Sequence, residues 1–210
     1  MDLDIDIQKW SKELVRDLPT VNGVDKLPSL YFVGKAGSGK SYCSKFMTDK
    51  YGYTVAKFAY PIYLIAEKYF NMQGKDRRLL QVLGTEAGRE TINQDIWVNR
   101  FKEDMRMIST TTDILSMQPI KFVMDDCRFP NEHKILTELG FKGIYLNVPD
   151  KLRKQRLVGR DGKTQEDTFN HTSETSIDLF KHNLIQLDAS GDLEDMYLKI
   201  NNMLFTLRGV

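Results

Sequence analysis

An α/β protein with a five-stranded parallel sheet covered by helices on both faces is what the sequence predicts. Three observations carry that expectation. Apolar runs of strand length at Leu30–Val33, Ile120–Met124 and Ile144–Val148 alternate with stretches of helical periodicity, and Tyr53–Ala59 and Leu184–Leu187 supply two more strand candidates. A glycine-rich turn follows the first run and opens a helix, the join seen where a parallel sheet meets ligands at the carboxyl ends of its strands. The chain has 210 residues, enough to bury one substantial core with small insertions and too few for two full domains.

Along the chain, Ile7, Trp10, Leu14 and Leu18 recur at helical spacing before Pro19 stops the pattern. Residues 1–28 are therefore expected to form an N-terminal helical extension that packs on the main domain, residues 29–210. The helix after the glycine-rich turn runs through Phe46, Pro61 sits in the first turn of the next, and Trp97, Phe101 and Met105 share a face of another. A helix from Pro130 should end at Gly140, and the last helix carries Leu193, Met196, Tyr197, Ile200 and Leu204. No repeat, low-complexity tract or Gly-Ser linker interrupts this order.

Composition narrows the function classes. Lys plus Arg number 30 and Asp plus Glu 29, so the chain lacks the overall positive field that drives nonspecific nucleic-acid binding, and any anion site must be local. No apolar run is long enough to cross a bilayer or serve as a signal peptide, which places the chain in the cytoplasm with no membrane partner. Cys43 and Cys127 stand far apart without metal-binding spacing and are expected to be reduced thiols.

The turn after the first strand is Gly34-Lys35-Ala36-Gly37-Ser38-Gly39-Lys40-Ser41, which satisfies G-x-x-x-x-G-K-[ST] at every fixed position, between a strand and a helix. Its glycines let backbone N–H groups turn inward around phosphate oxygens, and the helix N-terminus adds a favourable field. Gly34, Ala36, Gly37, Ser38 and Gly39 thus form an ATP cradle, Lys40 reaches the β- and γ-phosphates, and the Ser41 hydroxyl ligates Mg²⁺. Lys35 reads as a solvated loop residue. The fold expected is a P-loop NTPase of three α/β/α layers.

The third strand ends in Asp125-Asp126-Cys127-Arg128-Phe129-Pro130-Asn131-Glu132. A carboxylate here would face the phosphate loop and hold Mg²⁺ directly or through water, with Asp126 or Asp125 in that role. Arg128 could grip an acceptor phosphate bidentately, or pair with Glu132 one helical turn on.

The string Asp126-Cys127-Arg128-Phe129-Pro130-Asn131-Glu132 resembles the D-V-R-F-P-N-E signature of bacteriophage deoxynucleoside monophosphate kinases, with Cys127 in place of Val. Leu80-Gln81-Val82-Leu83-Gly84-Thr85-Glu86-Ala87-Gly88-Arg89, then Asp95-Ile96-Trp97-Val98, is similar to that family's L-Q-x-x-G-T-E-x-x-R and D-x-W-V segments. The resemblance runs from about Leu30 to the C-terminus. It implies that Arg77, Arg78, Gly84, Thr85, Arg89, Trp97, Asp126, Arg128 and Glu132 line a monophosphate site within a helical insertion spanning about 60–110. Elementary chemistry agrees: Thr85 and the Gly84 backbone can donate to phosphate or sugar, arginines can neutralise the acceptor, and Trp97 can stack on a base or pack in a core. Arg89 can bind phosphate or pair with Glu86 or Glu90, and Glu132 can meet a sugar or base, or simply stabilise a helix start.

Cations then concentrate in Lys151–Arg160, where Arg156-Leu157-Val158-Gly159-Arg160 resembles the R-x-x-G-R at the lid of adenylate kinases. That similarity implies a short lid over about 151–176, with Arg160 clamping the transferring phosphates, Arg156 at the adenine or a phosphate, and Gly159 and Gly162 as hinges. Asn170-His171-Thr172-Ser173-Glu174 resembles an H-x-S-E segment near the phage enzymes' lid, with no chemical role assigned to His171.

The function implied is ATP-dependent phosphorylation of deoxynucleoside 5′-monophosphates, with Mg²⁺ and catalytic Lys40, Arg128 and Arg160. The partners are small-molecule nucleotides, the compartment the host cytoplasm if the origin is a phage, and a homodimer stays open as the assembly. The alternative within the class is a P-loop kinase of an alcohol such as dephospho-coenzyme A, where Asp126 would act as base and no arginine need neutralise an acceptor phosphate. A nucleotide-dependent switch is the alternative outside it, and the sequence has no N-K-x-D guanine-reading motif.

Overall fold

The computed structural model describes residues 26–161 and 172–208, apart from the side chains of Arg160, Asp161 and Ser173. The helix expected within residues 1–28, the Gly162 hinge, His171 and the Arg160 clamp therefore lie outside the described residues. Two compact units form, one from the chain up to Val55 together with Lys121 onward, the other from Ala56–Ile120.

The first unit holds one parallel sheet of β1 (Leu30–Val33), β2 (Thr54–Val55), β3 (Phe122–Met124), β4 (Lys142–Asn147) and β5 (Ile185–Asp188), in the order β2-β3-β1-β4-β5. Because β1 lies between β3 and β4, strand order reverses there, and the carboxyl end of β1 is where such a sheet opens a crevice. Residues of β1 alternate between two cores, as a strand's period of two requires. Leu30 and Phe32 join Phe46 and Met47 of α1 (Lys40–Tyr51) and Met196, Tyr197, Ile200 and Leu204 of the C-terminal helix Leu193–Arg208. The Phe46 and Tyr197 rings stack at 4.5 Å. Tyr31 turns the other way and meets His133 of α5 (Pro130–Glu138), Oη to Nδ1 at 2.7 Å, and His133 in turn stacks on Phe180. Helical layers on both faces of a parallel sheet are thus what alternating βα segments produced.

The second strand is two residues, not seven, because Phe58 leaves the sheet to pack on Phe101 at 4.6 Å in the other unit's core. Leu27 is fully buried in the first unit's core, and the Pro28 carbonyl accepts from the Tyr53 hydroxyl at 2.9 Å. The acceptor insertion drawn at 60–110 falls inside a compact unit reaching from Ala56 to Ile120. The helix from Pro130 ends at Glu138, ahead of Gly140 as expected, and both cysteines are buried.

The second unit contains α2 (Tyr60–Phe70), α3 (Arg77–Gln81) and α4 (Ile96–Ile114), with a π-helical segment, Val82–Ile92, running on from α3. Asp76 caps α3 by accepting the Leu79 N–H at 3.0 Å. The wide π turn is closed at its end by the Asn93 N–H on the Gly88 carbonyl, an i to i−5 bond of 2.9 Å. Trp97 explains why this segment carries a glycine at 88. Its indole N–H donates to the Gly84 carbonyl at 2.8 Å, and a Cβ on Gly88 would come within 2.8 Å of its ring.

Candidate active site

Gly34–Ser41 joins β1 to α1, and the Ser38 N–H closes the turn on the Lys35 carbonyl at 3.1 Å. Gly37 and Gly39 hold φ of +83° and +96°, conformations that side chains rarely adopt. Lys40 is the first residue of α1, so the loop delivers its side chain to its own interior, where the ammonium donates to the carbonyls of Gly34 and, at 3.3 Å, Lys35.

Two residues that no sequence motif singled out for chemistry grip the loop at Ala36. The Arg153 guanidinium, on α6 (Asp150–Asp161), donates to the Ala36 carbonyl at 2.8 Å, and the Ala36 N–H donates to Glu174 Oε2 at 2.6 Å. Glu174 belongs to the short helix α7 (Thr172–Thr175), is 4% exposed, and forms an ion pair through its other oxygen with the Arg128 guanidinium. The turn Ser176–Leu179 fastens the same segment, because Lys35 pairs with Asp178 at 2.9 Å and is thus no free loop lysine. Two signals were available: Glu174 closes the H-x-S-E string, and Arg153 lies four residues before Leu157, on the face that buries both.

Charge is dense here. Burial, then Arg128, pulls the Lys40 ammonium down to about 7, against the opposing charges of Glu174 and Asp125. Burial alone would push the Glu174 carboxyl up, but Arg128, Lys40 and the Ala36 N–H together hold it below the usual carboxylate range.

Beyond β3, Asp125 is the more buried of the acidic pair, 9% exposed, and its charge acts on Lys40. Arg128 pairs with Glu174. Glu132, 2% exposed, accepts the backbone N–H groups of Arg128 at 2.6 Å and Phe129 at 3.0 Å on Oε2, fixing the turn at the helix start that aims Arg128. Arg156 donates to the carbonyls of Ala189 at 3.1 Å and Gly191 at 2.8 Å, tying α6 to the loop after β5. In the second unit, Gly84 and Thr85 are buried in the π segment, and Trp97 is a core residue with its N–H engaged. Arg77 and Arg78 are exposed, Arg78 paired with Glu86, while Arg89 donates to the Gln94 carbonyl at 3.3 Å.

A pH dependence follows from Lys40. An anion bound beside it favours its charged form, whereas the unliganded group gives up its proton above about pH 7. Anion binding should therefore take up protons, and affinity for MgADP should fall as pH rises from about 7.5 to 9, by at most about tenfold per pH unit. Titration calorimetry in buffers of different ionisation enthalpy checks the proton uptake directly.

No family model matches the chain. A curated relative, a deoxynucleoside-5′-monophosphate kinase of Escherichia phage T5, is 30% identical over 109 residues, covering 43% of this chain and 40% of that protein. The chain thus matches well under half the length of that relative. Among solved structures, a gluconokinase from Sinorhizobium meliloti 1021 superposes with a TM-score of 0.53 at 14% identity, covering 87% of this chain and 94% of that one. TT1252 from Thermus thermophilus gives 0.52 at 17% identity, covering 86% and 97%. Likeness at that level is likeness of fold, and with the parallel sheet and phosphate loop it defines a three-layer α/β/α P-loop fold.

Proposed function

We propose that the chain is a kinase that moves the γ-phosphoryl group of ATP onto deoxynucleoside 5′-monophosphates, giving the diphosphate and ADP. The observation that carries this reading is Arg128. It stands close enough to Lys40 to lower that ammonium's pKa, and it lies in the turn beyond β3, joined to the phosphate loop through Glu174, where a guanidinium suits an acceptor that is itself a phosphate. The partial match to the phage T5 enzyme points the same way.

Phosphoryl transfer asks a protein for positioning and charge neutralisation. The loop N–H groups and Lys40 would hold the donor phosphates, and Arg128 would hold the acceptor. A monophosphate has a second pKa of about 6, so its attacking oxygen is already ionised and needs no general base. The exposed Ser41 hydroxyl and the buried carboxylate of Asp125, with Asp126 beside it, are the hard oxygen donors that suit Mg²⁺, an ion that takes most of its remaining ligands from water and phosphate. When bound, Mg²⁺ would neutralise charge on the phosphate chain. Arg156 and Arg160 are proposed for the donor side, and Thr85, Arg77, Arg78 and Arg89 of the second unit for acceptor recognition.

A coupled assay offering ATP and Mg²⁺ with each common deoxynucleoside monophosphate, its ribonucleotide counterpart and dephospho-coenzyme A tests the reading. Turnover of one or more deoxynucleoside monophosphates is expected. Turnover of dephospho-coenzyme A alone would replace the acceptor, and Asp126 or Asp125 would then be the base.

A further inference from the structure

Glu174 poses a problem for any site meant to receive phosphates. Its carboxylate is almost fully buried, accepts the N–H of Ala36 within the phosphate loop at 2.6 Å, and is paired with Arg128. Its charge also acts on Lys40. An incoming triphosphate would bring several negative charges to the loop N–H groups and cations that this one carboxylate already occupies. Two anions cannot share those partners at close range without strong repulsion in a site shielded from water.

Buried Ile177 and Phe180, the latter stacked on His133, anchor the chain just beyond Glu174, so the part able to give way is the short element ahead of them. It is a four-residue helix followed by a 3-10 turn, and its link to the loop's flank is the half-exposed ion pair Lys35–Asp178 at 2.9 Å, a contact of small net worth. Arg153 holds the other side of Ala36 independently, so the loop keeps one anchor when Glu174 leaves.

We propose that Glu174 is a built-in counter-anion of the phosphate loop, displaced when the donor phosphates bind, and that its departure frees the Arg128 guanidinium. The inference rests on the nucleotide-binding part of the reading above and is indifferent to which acceptor is used. Inorganic tripolyphosphate and MgADP are the probes. Glu174→Gln keeps the shape and removes the competing charge, so it should bind both probes ~10-fold more tightly than wild type, the worth of a charge-assisted hydrogen bond. Removing a negative charge would strengthen anion binding through the field alone, so a second readout is needed. Hydrogen exchange across residues 172–183 of the wild type should accelerate when tripolyphosphate binds, which a field effect would not cause. Asp178→Asn, at a half-exposed position, loosens the same segment without touching Glu174 and should tighten binding about twofold to threefold. That variant keeps the test available if Glu174→Gln fails to fold. Wild-type protein that binds both probes with unchanged or slower exchange over 172–183, and variants no tighter than wild type, would overturn the inference alone. Wild-type protein that binds neither probe would remove it together with the kinase reading.

Discussion

Replacing Lys40 by methionine is expected to leave a folded chain whose phosphoryl-transfer rate has dropped by about a thousandfold or more, the scale for removing a preorganised charge stabiliser from a transition state. The side chain is 8% exposed, and burial is the largest influence on its pKa. A cation held in that place costs folding free energy when no anion is bound, because desolvation opposes its charge. Methionine matches the stem, has no charge to desolvate, and gives up two hydrogen bonds to the carbonyls of Gly34 and Lys35. The thermal midpoint should accordingly stay within a few degrees of wild type or rise, while the proton uptake that accompanies MgADP binding disappears. Activity within tenfold of wild type would mean that Lys40 does not face the transferring group.

How much of this was legible in the sequence depends on how local the cause is. The first strand, the loop and the helix after it are specified by neighbouring residues, so Leu30–Val33 and the start at Lys40 could be read directly. Tyr53–Ala59 read as one strand because its apolar residues do not disclose which core each will join, and Phe58 joins Phe101 rather than the sheet. The Val82–Ile92 segment shows helical composition, but its π geometry and its packing against Trp97, whose ring lies over Gly88, involve a residue beyond the segment's own pattern. The same holds for the site. Glycine spacing exposes the phosphate loop, whereas Glu174 meets Ala36 across 138 positions of sequence, a relation that no local pattern encodes. Arg128 and Glu132 illustrate the middle case. Their spacing offered an ion pair; a carboxylate three and four residues beyond two N–H groups at a helix start also suits the backbone, and Glu132 serves it, while the guanidinium's pairing with Glu174 spans 46 positions that no local pattern relates.

Gly37→Ala should be the most damaging single-methyl change in the loop, and comparison with Gly52→Ala should separate its two causes. Both glycines have positive φ, +83° and +68°, so each alanine would suffer the strain of a left-handed backbone, of order 1–2 kcal/mol. Around Gly52 a new Cβ would find no atom within 4 Å, so strain is the whole cost there and the phosphate loop is untouched. At Gly37 the same Cβ would lie 2.6 Å from the Arg153 carbonyl oxygen and 3.1 Å from Leu157 Cγ. A backbone carbonyl inside α6 cannot rotate away, and Leu157 is buried, so the loop itself must shift. That shift pulls against the Arg153 guanidinium, which holds Ala36 from the same helix. Gly52→Ala should therefore lower the urea midpoint by an amount equal to about 1–2 kcal/mol with MgADP affinity unchanged. Gly37→Ala should destabilise by about 1 kcal/mol more than that and weaken MgADP binding by as much as about a hundredfold, since an ångström of misplacement suffices for such a loss. Equal stability losses for the two variants, with equal affinities, would show that α6 does not brace the phosphate loop.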